Sequence, residues 1–183
     1  SILATFPGRR RHRFVDVDRT LFYVRPDRTV WEGATIVPTI SPLVDEIDAL
    51  EEGRAFAERC GVGLAAWAVL LHDANLPRRH PATAQRTLWG DALPSLLCLR
   101  NALVRDYAAR LIADVARRAD TVQLESASWG TLPHHRHSKL PGRAPDVQAA
   151  ILELCFCDAC AADADAHGID VAALRAGLDR LWD

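Results

Sequence analysis

The sequence predicts an α/β fold made of parallel βαβ units. Strand-forming and helix-forming segments alternate along the chain, in the order strand, helix, strand, helix, strand, helix, which is the pattern of a parallel sheet with helical crossovers. The connections are asymmetric. Links from helix to strand are tight (Cys60-Gly61-Val62 and Ala119-Asp120), whereas links from strand to helix are long and polar. Long loops therefore gather at the carboxyl ends of the strands, the edge where parallel α/β proteins place their sites. With 183 residues, 49% apolar and 25% charged, the chain has the composition of a globular protein and can bury a sizeable core. Residues 1–183 read as a single α/β domain.

The first strand is expected over Arg19–Val24, rich in strand formers and stopped by Arg25-Pro26-Asp27. A linker containing Trp31, Glu32, Gly33 and Pro38 leads to Ser41-Pro42, an N-cap and first-turn proline that open a helix. Leu43, Ile47, Leu50 and Phe56 mark its apolar face, and Gly61 its C-cap. The apolar run Gly63–Leu71 reads as a strand covered on both faces, with Trp67 in the core, ending at His72-Asp73. A long polar loop is expected from there to about Cys98. Asn101 caps the next helix, whose stripe is Val104, Tyr107, Leu111 and Val115. Thr121–Leu124 is a short strand ending at Glu125. A second long loop carries Trp129, His134, His135, His137 and Lys139. From Asp146 the composition is helical, and Val171, Leu174, Leu178 and Leu181 mark the last amphipathic piece.

Composition narrows the function. The net charge of -2 argues against a nucleic-acid binder, and the run Arg9-Arg10-Arg11-His12-Arg13 reads as a solvated arm without an aromatic-rich basic surface around it. No apolar run approaches the length of a bilayer span and nothing at the start resembles a signal peptide, so no membrane partner is expected. The five cysteines are clustered rather than spaced as a secreted disulfide framework, which points to the cytoplasm. The chain has no methionine, even at position 1, and is expected to be a segment of a longer polypeptide. No Gly-rich phosphate loop follows any strand, which removes support for a Rossmann or P-loop reading.

The strongest chemical signal is Cys155-Phe156-Cys157-Asp158-Ala159-Cys160. Neighbouring thiols in such a turn rarely meet disulfide geometry, whereas three converging thiolates suit a soft tetrahedral metal, with zinc the default. The fourth ligand must come from elsewhere. Cys98, Cys60 and the seven histidines are the candidates, and Cys98, placed where the chain reverses just before a helix, is preferred. A structural zinc stapling two loops is the expectation; a metal-free reduced cluster or a disulfide is the alternative. Cys60, at a helix end, reads as a small buried hydrophobe.

Glu125, where a strand enters a loop, is the candidate general acid/base: partial burial there raises a carboxyl toward neutral pH, and the bland reading is a solvated or salt-bridged strand end. His72 and Asp73 hold the equivalent end of the preceding strand and are candidates for substrate hydrogen bonding, or they order their own loop. His134, His135 and His137 lack an H-E-x-x-H pattern or a carboxylate pair, so they read as imidazoles offered to a polyol or facing solvent rather than as metal ligands. Trp129, Trp89 and Trp31 fall in loops, where aromatic rings stack on sugar faces or anchor the loop.

The pairing of Cys98 with the Cys155–Cys160 turn resembles the four-cysteine zinc site of glycoside hydrolase family 42 β-galactosidases, in which one cysteine precedes the helix after strand three and a C-x-C-x-x-C follows strand four. The stretch Cys98-Leu99-Arg100-Asn101 and the strand ending in Glu125 are similar to the corresponding family segments. The string Trp67–His72, Gly90-Asp91, Leu124-Glu125-Ser126 and Leu154-Cys155-Phe156-Cys157 is also similar to uncharacterised barrel proteins grouped with glycoside hydrolases. The resemblance covers residues 20–165. It implies a (β/α)8 TIM barrel, with this chain supplying the units around strands two to four; structural zinc on Cys98, Cys155, Cys157 and Cys160; and Glu125 as the residue protonating the glycosidic oxygen of a carbohydrate. Leu124 departs from the pattern, because the clan has Asn there, whose amide binds the sugar 2-hydroxyl. No nucleophile is assigned, and the alternatives to hydrolysis are a barrel relative that binds a sugar or polyol without cleaving it, or a zinc-stabilised interaction module. Three βα units leave an open edge and an uncovered interior, so the resemblance implies either an incomplete barrel segment or a homo-oligomer.

Overall fold

The computed structural model describes residues 2–4, 13–15, 20–127 and 146–182. It is a mixed α/β fold whose centre is one parallel βαβ unit. Near the N-terminus β1 (Ile2–Ala4) and β2 (Arg13–Val15) pair antiparallel. After them come α1 (Arg28–Trp31), a 3-10 turn (Pro42–Asp45) and α2 (Ala49–Cys60). β3 (Ala65–Val69) leads through α3 (Leu76–Arg79), a second 3-10 turn (Pro81–Thr83) and the antiparallel hairpin β4 (Ala84–Arg86) and β5 (Ala92–Leu97) into α4 (Ala102–Ala116). β6 (Thr121–Glu125) then returns beside β3, in parallel register from Ala65↔Thr121 to Val69↔Glu125. Helices α5 (Asp146–Leu152), α6 (Asp158–Ala166) and α7 (Val171–Trp182) close the chain. None of the helices among the described residues is long and apolar enough to cross a membrane.

The local signals explain the unit. Asn101 accepts from the Leu103 amide and starts α4, whose Val104, Tyr107, Leu111 and Val115 are all buried. Gly61 ends α2 at φ 67°, a left-handed conformation that glycine adopts without a Cβ penalty. The main core gathers Ala68, Leu70 and Leu71 from the β3 segment, Val104, Tyr107 and Leu111 from α4, and Val30, Trp31 and Ile36 from the N-terminal side. A second, smaller core joins Leu88, Ile151 and Phe156, with Val171, Leu178 and Trp182 packed against it.

Several expectations are corrected. The strand over Arg19–Val24 is reduced to a single parallel bridge, Phe22↔Ile40. The helix beginning at Ser41 is interrupted: Ser41 caps only the 3-10 turn, and Asp48 restarts the chain as the cap of α2, because its buried carboxylate takes the Leu50, Glu51 and Arg25 amides together. Leu43, Ile47 and Phe56 are consequently exposed, and Leu50 and Ala57 supply the buried side of α2. The polar loop before Cys98 contains α3 and a hairpin whose turn closes at Gly90, φ 92°. Trp67 is not core but 68% exposed. Ala68 and Leu70 face the main core, so strand alternation sends Ala65 and Trp67 to the opposite face, together with Thr121, Gln123 and Glu125 of β6. That face carries no covering layer among the described residues, and Trp67, Thr121 and Gln123 are exposed on it. Trp31 is the reverse case: it is buried in α1, its indole donating to Asp114 at 2.6 Å. Cys60 is exposed, because the last turn of α2 shows that position to solvent.

Candidate metal centre

Four cysteines from two distant segments converge. Cys98 follows β5 directly; its amide donates to the Thr83 carbonyl at 2.8 Å, and its carbonyl accepts from Asn101, folding the chain into the turn that begins α4. The second segment is threaded along β4. The Phe156 amide donates to the Arg86 carbonyl at 2.9 Å, and the Arg86 amide points back at Cys155 Sγ, 3.4 Å away. Cys157 is the N-cap residue of α6 and Cys160 lies in its first turn. Thiolate character is favoured at a helix start, where unpaired amides and the helix dipole present positive potential.

All four Sγ atoms lie within 4.8 Å of one another. From Cys98 the separations are 3.4 Å to Cys157, 3.5 Å to Cys160 and 3.9 Å to Cys155. A tetrahedron with metal–sulfur bonds of about 2.3 Å has edges of about 3.8 Å, so the cluster has the size of one four-coordinate thiolate site. A disulfide needs about 2.05 Å, and all five cysteines are free. Cys98 and Cys157 are buried; Cys155 and Cys160 are partly so. The donor set is soft and closed, with no oxygen ligand, the chemistry of a site that holds an ion without offering it to a substrate.

Electrostatics favour a cation here. Hydrogen bonds from Cys155, Cys160 and Cys98 draw the Cys157 thiol far below its ordinary value, while hydrogen bonding with Cys155 and Cys157 pushes the Cys98 thiol up, and the Cys160 thiol rises on contact with Cys155, Cys157 and Cys98. Contact with Cys157 raises the Cys155 thiol, but hydrogen bonds with Cys160 and Cys98 outweigh it and draw that thiol down to about 7, so the cluster favours negative charge on Cys157 and Cys155. Each further pair of thiolates at this spacing repels by on the order of 4 kcal/mol at an effective dielectric of about 20. A bound ion reverses that balance for all four. Around the cluster, an Arg100–Asp163 ion pair ties the Cys98 turn to α6, and Arg175 lies 4.9 Å over the Phe156 ring while donating to the Leu88 and Phe156 carbonyls.

The other candidate residues fall elsewhere. Glu125 is half-buried at the carboxyl end of β6, in register with Val69, its carbonyl accepting from the Leu70 amide. Ser126, immediately after it, takes φ 50°, the one left-handed non-glycine conformation among the described residues. His72 pairs with Leu96 in an antiparallel bridge. Asp73 is buried, and its Oδ1 accepts from the Asn75 and Leu76 amides at 2.7 and 2.8 Å, ordering the start of α3. Burial, the largest influence on it, raises the Asp73 carboxyl. Trp129, His134, His135 and His137 lie outside the described residues. Trp89 donates to Asp179 and stacks edge-on against Trp182, anchoring the hairpin to α7.

The sequence pattern did not mark the hairpin as the scaffold that brings Arg86 against Cys155 and Thr83 against Cys98. Its strands are short and Pro94 sits inside one of them; the only signal available was Gly90-Asp91 between apolar stretches. No family model, curated protein or solved structure matches the chain.

Proposed function

We propose that the chain is a metal-stapled α/β segment of a carbohydrate-active (β/α)8 barrel, with structural zinc on Cys98, Cys155, Cys157 and Cys160 and Glu125 as the general acid/base at a glycosidic bond. The convergence of four Sγ atoms within 4.8 Å carries this reading. It joins the loop after β5 to the start of α6, the pairing on which the resemblance to family 42 β-galactosidases rests. Zinc is the ion of choice because four thiolates in tetrahedral array suit it and demand no redox chemistry. A reducing cytoplasm is the compartment in which such thiols persist.

Three further observations support the barrel part. β3 and β6 are parallel and joined through α4, as neighbouring barrel strands are. Glu125 sits at the carboxyl end of its strand, on the face opposite the α4 core, where a barrel puts its catalytic groups. Ser126, held in a sparsely populated backbone region beside it, is a form of strain that clusters at working sites. The exposed Trp67, Thr121 and Gln123 then belong to a lumen completed by further strands or by a second copy. A second reading, a sugar- or polyol-binding relative without hydrolysis, is favoured by Leu124, which cannot supply the amide of the clan's Asn.

Native mass spectrometry tests the staple. One zinc per chain is expected in the wild-type protein and none in Cys98→Ser. A folded, metal-free wild type would remove the zinc assignment and with it the specific link to the family. Sugar binding measured on Glu125→Gln separates the two carbohydrate readings: hydrolysis lost with binding kept supports the acid/base role, and unchanged hydrolysis refutes it.

A further inference from the structure

A cavity of about 560 Å³ opens between the Thr20–Val24 segment, the edge of β3 that is unpaired among the described residues, and α4, and Glu125 does not line it. Its walls are apolar, with Phe22, Ala66, Ala68 and Leu111 among them, and the alanines of β3 leave the space that larger side chains would fill. Of the polar residues lining it, Thr20, Tyr23, Thr39, Asp73 and Tyr107, the two buried ones are Asp73 and Tyr107, each only 4% exposed. The volume falls within the roughly 300–1,000 Å³ of small-molecule sites, and an apolar lining with a few polar groups is their usual composition.

Both hydrogen bonds to Asp73 go to Oδ1, and no ion pair or hydrogen bond among the described residues reaches Oδ2. Arg79, the nearby cation, is directed instead to the Val37 carbonyl and Thr39 Oγ1. The Tyr107 hydroxyl has no hydrogen-bond partner among the described residues. Arg79 and His72 act on the Asp73 carboxylate only through space, and a buried carboxylate without a direct cationic partner is costly. A hard metal ion would need about six oxygen ligands, which these walls do not offer. A protonated amine on an apolar body needs one carboxylate, one acceptor and an apolar wall.

We propose that this cavity is a binding site for an apolar primary amine, its ammonium donating to Asp73 Oδ2 and the Tyr107 oxygen and its hydrocarbon or aromatic body lying against Phe22, Ala66, Ala68 and Leu111. The site stands whether or not Glu125 acts on a sugar. Calorimetric titration of the purified chain with tryptamine, and with indole-3-propionate as a probe of similar shape and opposite charge, tests it. One tryptamine per chain is expected at submillimolar affinity, with the acid at least tenfold weaker. Asp73→Asn keeps the Oδ1 acceptor that orders α3 and should weaken tryptamine at least tenfold, and Ala66→Phe should abolish binding in a protein still folded by circular dichroism. Equal affinity for the two probes, Asp73→Asn binding like wild type, or no tryptamine binding to folded protein at millimolar concentration would each overturn the proposal. The last result is the one expected if the unpaired β3 edge receives an extended peptide instead.

Discussion

Asp114→Ala tests how the N-terminal segment is held to the βαβ unit. Asp114 is fully buried on α4 and serves three donors: Trp31 Nε1 at 2.6 Å and the Asp27 amide at 3.1 Å on Oδ2, and Arg118 Nη2 at 2.6 Å on Oδ1. Removing the carboxylate leaves the buried indole N–H without an acceptor, at a cost of about 1–3 kcal/mol. The partly buried Asp27 amide adds about 0.5–1.5 kcal/mol, and the charge-assisted bond from Arg118 about 1.5–3 kcal/mol. Arg118 is poorly placed to compensate, because its Nε is already buried without a partner and its remaining carboxylate, Asp48, is 3.6 Å away. The expected loss is about 3–7 kcal/mol, a large part of the roughly 5–15 kcal/mol that stabilises a typical protein. Asp114→Asn keeps one acceptor and should lose about half as much. Urea unfolding followed by far-UV circular dichroism measures both, with an unchanged denaturant slope showing that the unfolded state is the same. A loss below about 1 kcal/mol for Asp114→Ala would show that water or a shifted Asp48 satisfies the three donors, and the reasoning would fail.

Acid should weaken the same segment through Asp27. Hydrogen bonds from the Thr29 hydroxyl, Arg117 and the Thr29 amide lower its carboxyl from 3.8 to about 2 in the folded protein. A folded-state value below the unfolded one contributes stability that is present above about pH 3.8 and is lost as pH falls through about 2. Acid titration of wild type against Asp27→Asn reads this as a difference that closes over that window. Leu97→Ala, at a fully buried position in the main core, should cost about 2–5 kcal/mol by urea unfolding. Gly61→Ala should cost about 1–2 kcal/mol in the same assay, since φ 67° penalises a Cβ although no neighbour lies within 4 Å to clash with it.

Local signals in the sequence translated well where they were self-contained. The α4 stripe, the Asn101 cap, the Gly61 terminator and the strand ending at Glu125 each depend on residues a few positions apart, and each is present in the fold. The cysteine spacing announced a shared centre because thiol chemistry limits what such a cluster can be; the partner Cys98 was legible from its residue type together with its place just before a helix. What the sequence concealed depends on long-range geometry. Trp31 reads as a loop aromatic until Asp114, 83 positions away, supplies an acceptor inside the core. Trp67 reads as core because its run is apolar throughout, yet among the described residues β3 pairs only with β6 and only one of its faces has helices to pack against. Asp48 displaced Ser41 as the effective helix start because it also captures the Arg25 amide, a contact that no local rule contains.

A metal ion on the four cysteines would have a mechanical role whatever its identity. Among the described residues eleven buried side chains make up the main core and three the second, which joins the hairpin to the C-terminal helices. The second core is therefore the part that needs an additional tie. Among the described residues its other polar and ring ties include the Phe156 amide to Arg86, Arg175 to two carbonyls, Trp89 to Asp179 and Trp182, and the Arg100–Asp163 ion pair. Without a cation the sulfurs are held only by weak thiol hydrogen bonds, at the point where this smaller unit grips the hairpin. The effect would not stay there. β5 is hydrogen-bonded to the residues that follow β3, through Leu97 to Leu71 and through Asp73 to Ser95, so the hairpin is also the support of the Asp73 loop. Leu70 and Leu71 in turn bond to the Glu125 and Ser126 carbonyls. One continuous backbone path thus runs from the cysteines to both the cavity carboxylate and the strand-end glutamate. Chelation should loosen those two sites together before the α4 core gives way.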